Sequence, residues 1–452
     1  MRPIPVLGAG LAGSEAAWQL AEAGWKVELF EMRPVVTTPA HQTEHCAELV
    51  CSNSLGSMLP NRAGGVLQAE LKALGCHLLK VAEVHAVPAG NALAVDRDAF
   101  AADVTRQLEA HPHIQLRRQE VKVIPEGPCI VATGPLTSPD LADHIEQLAG
   151  TEHLAFFDAI SPVVTAESLD RKIIFPASRW QVGNGDYLNV PLNRQEYETF
   201  VEDLLGAEKH QLKDFESQDP RAKIFFERCL PIEILAQRGV ETLRFGPMRP
   251  VGLFDPQTGK RPYAVIQLRM ENQLGTLFNL VGFQTNLKYE EQKRVLRKLP
   301  GLKDVQFARL GSMHRNTFLN SPQLLTSNLE WKTRPGLCFA GQITGMEGYL
   351  GNVASGLIAA RTLQQRLQGH EPHALPINTL IGALTHHVAH APSQNFQPMK
   401  AEFGLLPPLL EKTPKKVRGD AYAARSADEL TRHLHNVGRP NHPPNPLAAS
   451  SD

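Results

Sequence analysis

The sequence predicts an α/β chain whose dinucleotide-binding domain is discontinuous, built on a parallel central sheet and interrupted by an α+β insertion domain. Two observations predict it. A strand, a glycine-rich turn and a helix follow one another near the start of the chain and again at 337–361, and strand-like segments lie between the two. A chain of 452 residues, 42% apolar and 21% charged, can bury large cores, which excludes a disordered or disulfide-scaffold protein. The net charge of −1 excludes a chain that is basic throughout.

Ile4 to Leu7 is a short apolar run, followed by Gly8-Ala9-Gly10-Leu11-Ala12-Gly13 and a helix-forming stretch that ends at Gly24. W-K-V-E-L-F-E then alternates with period two and ends at Glu31. In this Rossmann-like order Gly8 permits the tight turn and Gly10 lets the backbone approach a pyrophosphate. Gly13 lets helix and strand pack closely, and Glu31 accepts from a ribose hydroxyl. Pro3 and Pro5 lack N–H donors on the same side of the first strand, so pairing on that side is expected to begin near Val6.

Asp96 reads as the cap of a helix, and C-I-V-A at 129–132 as a strand leading into Thr133-Gly134. L-C-F-A-G-Q-I-T-G-M-E-G-Y at 337–349 brings Gly341, Gly345 and Gly348 toward a ligand, with a helix behind them. The nucleotide-binding domain is therefore assigned to 1–150 and 308–410, and the insertion to 151–307. A helical segment follows at 411–437 and a disordered tail at 438–452.

Between Lys209 and Pro300 there are 16 Lys and Arg against 10 Asp and Glu, so the insertion is the side for a polyanionic partner. Lys293 and Arg294, on the expected helix E-E-Q-K-R-V-L-R-K-L, are its candidate contacts, with 412–418 as a second basic stretch. The six cysteines show no C-x-x-C spacing, and no acidic residue completes a site with His386, His387 and His390, so no metal is expected. No apolar run reaches the roughly 18 residues that span a bilayer. Reduced thiols in the cytoplasm are the natural reading.

Several segments together resemble the folate- and FAD-dependent tRNA (uracil-5-)-methyltransferases, the TrmFO family. They are G-A-G-L-A-G-S-E-A-A at 8–17, F-E-M-R-P at 30–34, C-S-N-S-L at 51–55, A-T-G-P-L-T-S at 132–138, F-G-P-M-R-P-V-G-L at 245–253, M-H-R-N-T at 313–317 and F-Q-P-M at 396–399. The resemblance runs in order from residue 4 to about 410. It implies an FAD-binding domain and formation of 5-methyluridine at T-loop position 54 of tRNA. The carbon would come from 5,10-methylenetetrahydrofolate and the hydride from reduced FAD, which NAD(P)H regenerates. It also implies two catalytic thiols, Cys51 and Cys229. Uracil C5 becomes nucleophilic only after a thiolate adds at C6, a role expected of Cys229, while Cys51 would assist methylene transfer or C5 deprotonation near the flavin. His314 and Arg315 are candidates for binding the pterin or an anionic group of the substrate. The competing readings are an MnmG-like tRNA uridine modifier, another FAD oxidoreductase, and a flavin-loaded tRNA-binding protein without catalysis.

Overall fold

The structure, a computed structural model, describes residues 2–150, 154–180, 185–210 and 230–437. Ile4–Leu7 (β1), Leu11–Glu22 (α1) and Val27–Glu31 (β2) follow one another as the turn chemistry demands. A five-stranded parallel sheet forms in the order Leu337–Phe339, Cys129–Val131, β1, β2, Ile114–Arg118. Pairing of β1 with β2 starts at Ile4, but pairing with Cys129–Val131 starts only at Val6 opposite Ile130, because Pro5 has no donor for that side. The chain order reverses between β1 and Cys129–Val131, which opens a crevice at their carboxyl ends.

Two glycines bring the distant glycine-rich segments into one domain. A Cβ at Gly13 would stand 1.7 Å from the Gly8 carbonyl oxygen, and one at Gly356 would stand 2.0 Å from that of Ala12. α1 is thus clamped between β1 and the helix Tyr349–Leu367. Val6, Leu20, Leu29, Ile130, Val353 and Leu357 fill the core so formed. The helix Arg418–Val437 docks on the same body, where the Ser426 hydroxyl donates to Glu70. Glu70 also accepts the Leu380 and Ile381 N–H groups at the start of the helix Leu380–His390 (2.6 and 2.8 Å).

The insertion holds a six-stranded sheet in the order Phe175–Pro176, Tyr187–Leu192, Ala264–Met270, Leu277–Leu280, Val163–Thr165, Phe307–Arg309, with antiparallel neighbours throughout. Phe307–Arg309 carries this sheet two residues past the boundary expected at 307. Ala264, Ile266 and Leu268 join Val190, Leu280 and the helix residues Tyr197, Phe200, Leu204, Val295 and Leu296 in a second core. Gln267 and Arg269 alternate onto the opposite face, which turns toward the first domain. Leu154–Ala159 and Met313–Phe318 pair antiparallel where the chain enters and leaves.

The helix Tyr289–Leu296 does not offer the free cations expected of it. Arg294 is held by Asp203 (2.9 Å) and Glu291 (2.7 Å), Lys293 by Glu290 (2.8 Å), and Lys298 by Asp203 (2.7 Å). Asp203 comes from another helix, so part of the positive charge of this stretch is paired across the fold. No described helix is long and apolar enough to cross a membrane.

Candidate active site

The crevice between β1 and Cys129–Val131 widens into an open cleft. Gly8, Gly10, Leu11, Ala12, Glu31, Gly134, Gly341 and Cys51 line it, together with Thr133, Gln342, Tyr349 and Asn352. Gly8 (φ +95°) passes so close to the neighbouring strand that a Cβ would meet the Ala132 carbonyl oxygen at 2.6 Å. Gly10 behaves oppositely: a Cβ there meets nothing within 4 Å, so its missing side chain leaves room on the cleft side alone. No side chain caps α1 at Gly10, and its first N–H groups remain available to an anion. Ala9 is buried and Gly13 packs on Gly8; neither lines the cleft.

Glu31 closes the other end. Its Oε2 accepts from the Ala9 N–H (3.1 Å), and its Oε1 accepts from Arg33 Nε (2.9 Å) and Arg33 N (3.1 Å). Burial opposes ionisation, but the Arg33 hydrogen bond and charge prevail and hold the Glu31 carboxyl below the usual carboxylate range. Arg33 also binds Glu48 (2.9 Å), whose carboxylate gathers Gln42 N and Thr43 N, so the 42–48 loop is tied down beside the cleft.

Of the three glycines expected at the second glycine-rich turn, Gly341 alone reaches the cleft, its N–H donating to Ser355 Oγ (2.6 Å). Gly345 (φ +82°) is pressed against Phe396, where a Cβ would lie 2.6 Å from the ring, and Gly348 (φ +82°) precedes the helix start. Their positive φ shapes the turn; Gln342, Tyr349 and Asn352 present themselves instead. Asn352 Oδ1 is buried without a hydrogen-bond partner among the described residues and belongs to the cleft lining. A ligand with polar groups suits that atom.

Cys51 is half-buried at the edge of the cleft, and its loop is clamped from both sides. The Tyr349 hydroxyl accepts the Cys51 N–H (2.8 Å) and the Ser52 N–H (3.0 Å). From the opposite side, Arg97 donates to the Leu49 carbonyl and Arg309 to those of Val50 (3.2 Å) and Cys51 (3.4 Å). Arg269 Nε donates to Asn53 Oδ1 (2.8 Å). Glu271 pairs with Arg97 (2.8 Å), leaving the two insertion arginines as the local excess of positive charge. Arg269 and Arg309 lie in one cross-strand row of the polar sheet face, through Asn279 and Val163. Burial pushes both guanidiniums down, and Arg97 adds like-charge repulsion at each. Burial also pushes the Tyr349 phenol well up, with the Cys51 charge adding to it.

The remaining described thiols are poor nucleophiles. Burial pushes Cys46 up to about 11 and Cys129 up to about 12, and Cys76 and Cys338 well up. Cys229 lies outside the described residues. His314 and Arg315 sit on the strand Met313–Phe318, opposite Asp158 and Phe157, and their side chains are likewise outside the description; Asn316 of that strand lines the cleft. His386 and His390 stack at 4.2 Å, and no described group of residues could hold a metal ion.

The arginine row makes a specific forecast. Replacing Arg309 with Met removes a cation from the Cys51 loop, so the thiolate loses stabilisation and alkylation by iodoacetamide needs a higher pH. In a Cys229→Ala background the rate profile should move up by roughly one pH unit, about tenfold slower at neutral pH. Arg309→Lys should recover most of it. A profile that overlays the parent, with flavin retained, removes Arg309 from this role.

The model of the family described as Glucose inhibited division protein A matches residues 3–371. The methylenetetrahydrofolate–tRNA-(uracil-5-)-methyltransferase TrmFO of Trichormus variabilis is 52% identical over 96% of this chain and 99% of its own. That of Heliobacterium modesticaldum is 50% identical over 95% and 98%. Among solved structures, Aquifex aeolicus GidA superimposes with a TM-score of 0.67 over 96% of this chain and 76% of that one, at 17% identity, a likeness of fold. Half the residues shared along nearly the whole length of both chains place this chain in the TrmFO family of GidA-related proteins.

Proposed function

We propose that this chain is a methylenetetrahydrofolate–tRNA-(uracil-5-)-methyltransferase, forming 5-methyluridine at T-loop position 54 of tRNA. The observation that carries the reading is a thiol, Cys51, set at the rim of a dinucleotide cleft beside two arginines of the insertion domain. A flavin oxidoreductase acting on small molecules has no need of a cysteine there; a uracil-methylating enzyme does. The residues fit FAD. The uncapped N-terminus of α1 and the vacant Cβ position of Gly10 suit a pyrophosphate, Glu31 suits a ribose hydroxyl, and Gly134, Gly341 and Asn352 suit the remainder.

When bound and reduced, FAD supplies the hydride, and NAD(P)H renews it. The protein's own residues must then do three things. Cys229, as thiolate, adds to uracil C6 and raises electron density at C5, which bonds to the one-carbon unit of methylenetetrahydrofolate. Loss of the C5 proton then breaks the bond to the folate nitrogen and releases tetrahydrofolate, hydride goes to the exocyclic carbon, and the thiolate leaves C6. A group at the cleft must remove the C5 proton, and Cys51 is assigned there. His314 and Arg315 are assigned to the folate or the RNA anion. We assign 1–150 and 308–410 to the flavin and 151–307, with its sheet running on to Arg309, to the RNA side, and a tRNA substrate together with reduced thiols supports a cytoplasmic reaction.

Purified protein with methylenetetrahydrofolate and NADPH should convert an unmodified tRNA transcript to 5-methyluridine, and omitting either small molecule should stop it. A product modified at another nucleotide, or turnover of NADPH without tRNA methylation, sinks the reading.

A further inference from the structure

The paired cations of Tyr289–Leu296 leave open where a polyanion would lie, and the polar face of the insertion sheet leads to an answer. From Arg269, beside the Cys51 loop, the next residue on that face of the same strand is Gln267, whose Oε1 accepts from Arg179 Nε (3.1 Å). Arg179 Nη1 in turn donates to the Val251 carbonyl (2.7 Å), which fixes it against the loop bearing Arg249. Among the described residues neither Arg179 nor Arg249 pairs with a carboxylate. Burial, and then the Arg249 charge, push the Arg179 guanidinium down. Two like charges held together without a counter-ion suit an anion that arrives from outside.

Trp180 stands beside them in an unusual state. It is 72% exposed and adopts φ +64°, a backbone conformation that bulky residues avoid. Its N–H donates to the Gly252 carbonyl (3.1 Å), and its indole lies over Gly252 so closely that a Cβ there would stand 2.9 Å from the ring. One face of the indole is therefore backed by glycine backbone, and most of the side chain is exposed. Phe254, 59% exposed with Arg261 5.9 Å from its ring centre, follows on the same loop. An exposed aromatic surface backed by glycine and flanked by arginines without carboxylate partners is the arrangement that stacks unpaired bases while holding their phosphates.

We propose that Trp180, with Arg179 and Arg249, forms a stacking platform for an unpaired stretch of the tRNA substrate, adjoining the Cys51 cleft along the polar face of the insertion sheet. This rests on the reading of the chain as a tRNA-modifying enzyme and adds where the RNA lies. A surface that binds by charge alone would not require the strained, exposed indole.

The test is binding of a fluorescein-labelled, unmodified tRNA transcript by FAD-loaded full-length protein at several salt concentrations. Trp180→Ala should weaken binding roughly tenfold without altering the salt slope, because stacking is lost and no phosphate contact is. Trp180→Phe should restore most of the affinity. Arg249→Glu should weaken binding and flatten the slope of log affinity against log salt by about one, and Arg249→Gln should do the same to a smaller degree. Lys293→Glu with Arg294→Glu should cost far less. Flavin content and thermal midpoint report folding of each variant. Trp180→Ala and Arg249→Gln proteins that hold full flavin and bind within twofold of the parent overturn the platform. A parent protein that binds no tRNA overturns the functional reading instead, so the two failures are distinct.

Discussion

Cys51→Ala is expected to retain its flavin, bind tRNA, and lose 5-methyluridine formation by roughly 10²- to 10⁴-fold, the range that a positioned proton-transfer group supplies. The reason is local. The thiol sits on the cleft edge, and the loop that carries it is fixed by the Tyr349 hydroxyl on its amide side and by Arg97 and Arg309 on its carbonyl side. The substitution therefore removes chemistry without releasing the loop. Cys229→Ala should lose methylation entirely, and a second readout separates the two thiols. With 5-fluorouridine in the T-loop the C5 substituent cannot leave as a proton, so the thiol adduct at C6 should accumulate. Peptide mapping should find it on Cys229 in the parent and in Cys51→Ala, and nowhere in Cys229→Ala. An adduct on Cys51 reverses the roles; full methylation by the double alanine variant ends the two-thiol mechanism.

Gly10→Val should purify folded and colourless. At Gly10 the backbone is extended (φ −70°, ψ −170°) and a Cβ meets no protein atom within 4 Å, so valine fits the fold without strain. Its methyl groups enter the space through which a pyrophosphate must pass to reach the N-terminus of α1. Gly13→Val provides the contrast. There the Cβ would fall 1.7 Å from the Gly8 carbonyl oxygen, so α1 would be forced off β1 and the protein should fail to fold. Flavin absorbance at about 450 nm and thermal midpoint distinguish the outcomes. A folded, fully yellow Gly10→Val protein would falsify the assignment of the pyrophosphate path.

What the amino-acid order determined by itself was everything governed by neighbours along the chain. The β1–turn–α1–β2 unit, the Asp96 helix cap accepting the Ala99 N–H (3.1 Å) and the gap in pairing before Val6 all follow from turn chemistry and period two. The burial of Cys76, Cys129 and Cys338 is partly of that kind, since each lies close to apolar residues, whereas that of Cys46, five residues from Cys51, is not. Only the tertiary structure decided the electrostatics. Arg97, Arg269 and Arg309 come from a helix start and two strands, and they meet at one loop because strand pairing sets Arg269 and Arg309 in a single cross-strand row. The same physics added Asp203, 91 residues away, to the Glu291 that already faces Arg294 on its own helix, and turned Gly345 toward Phe396 rather than the cleft. A side chain's conformational preferences act over a few residues and can be read from them. Its charge and its contacts act through space, over distances that only the folded chain sets.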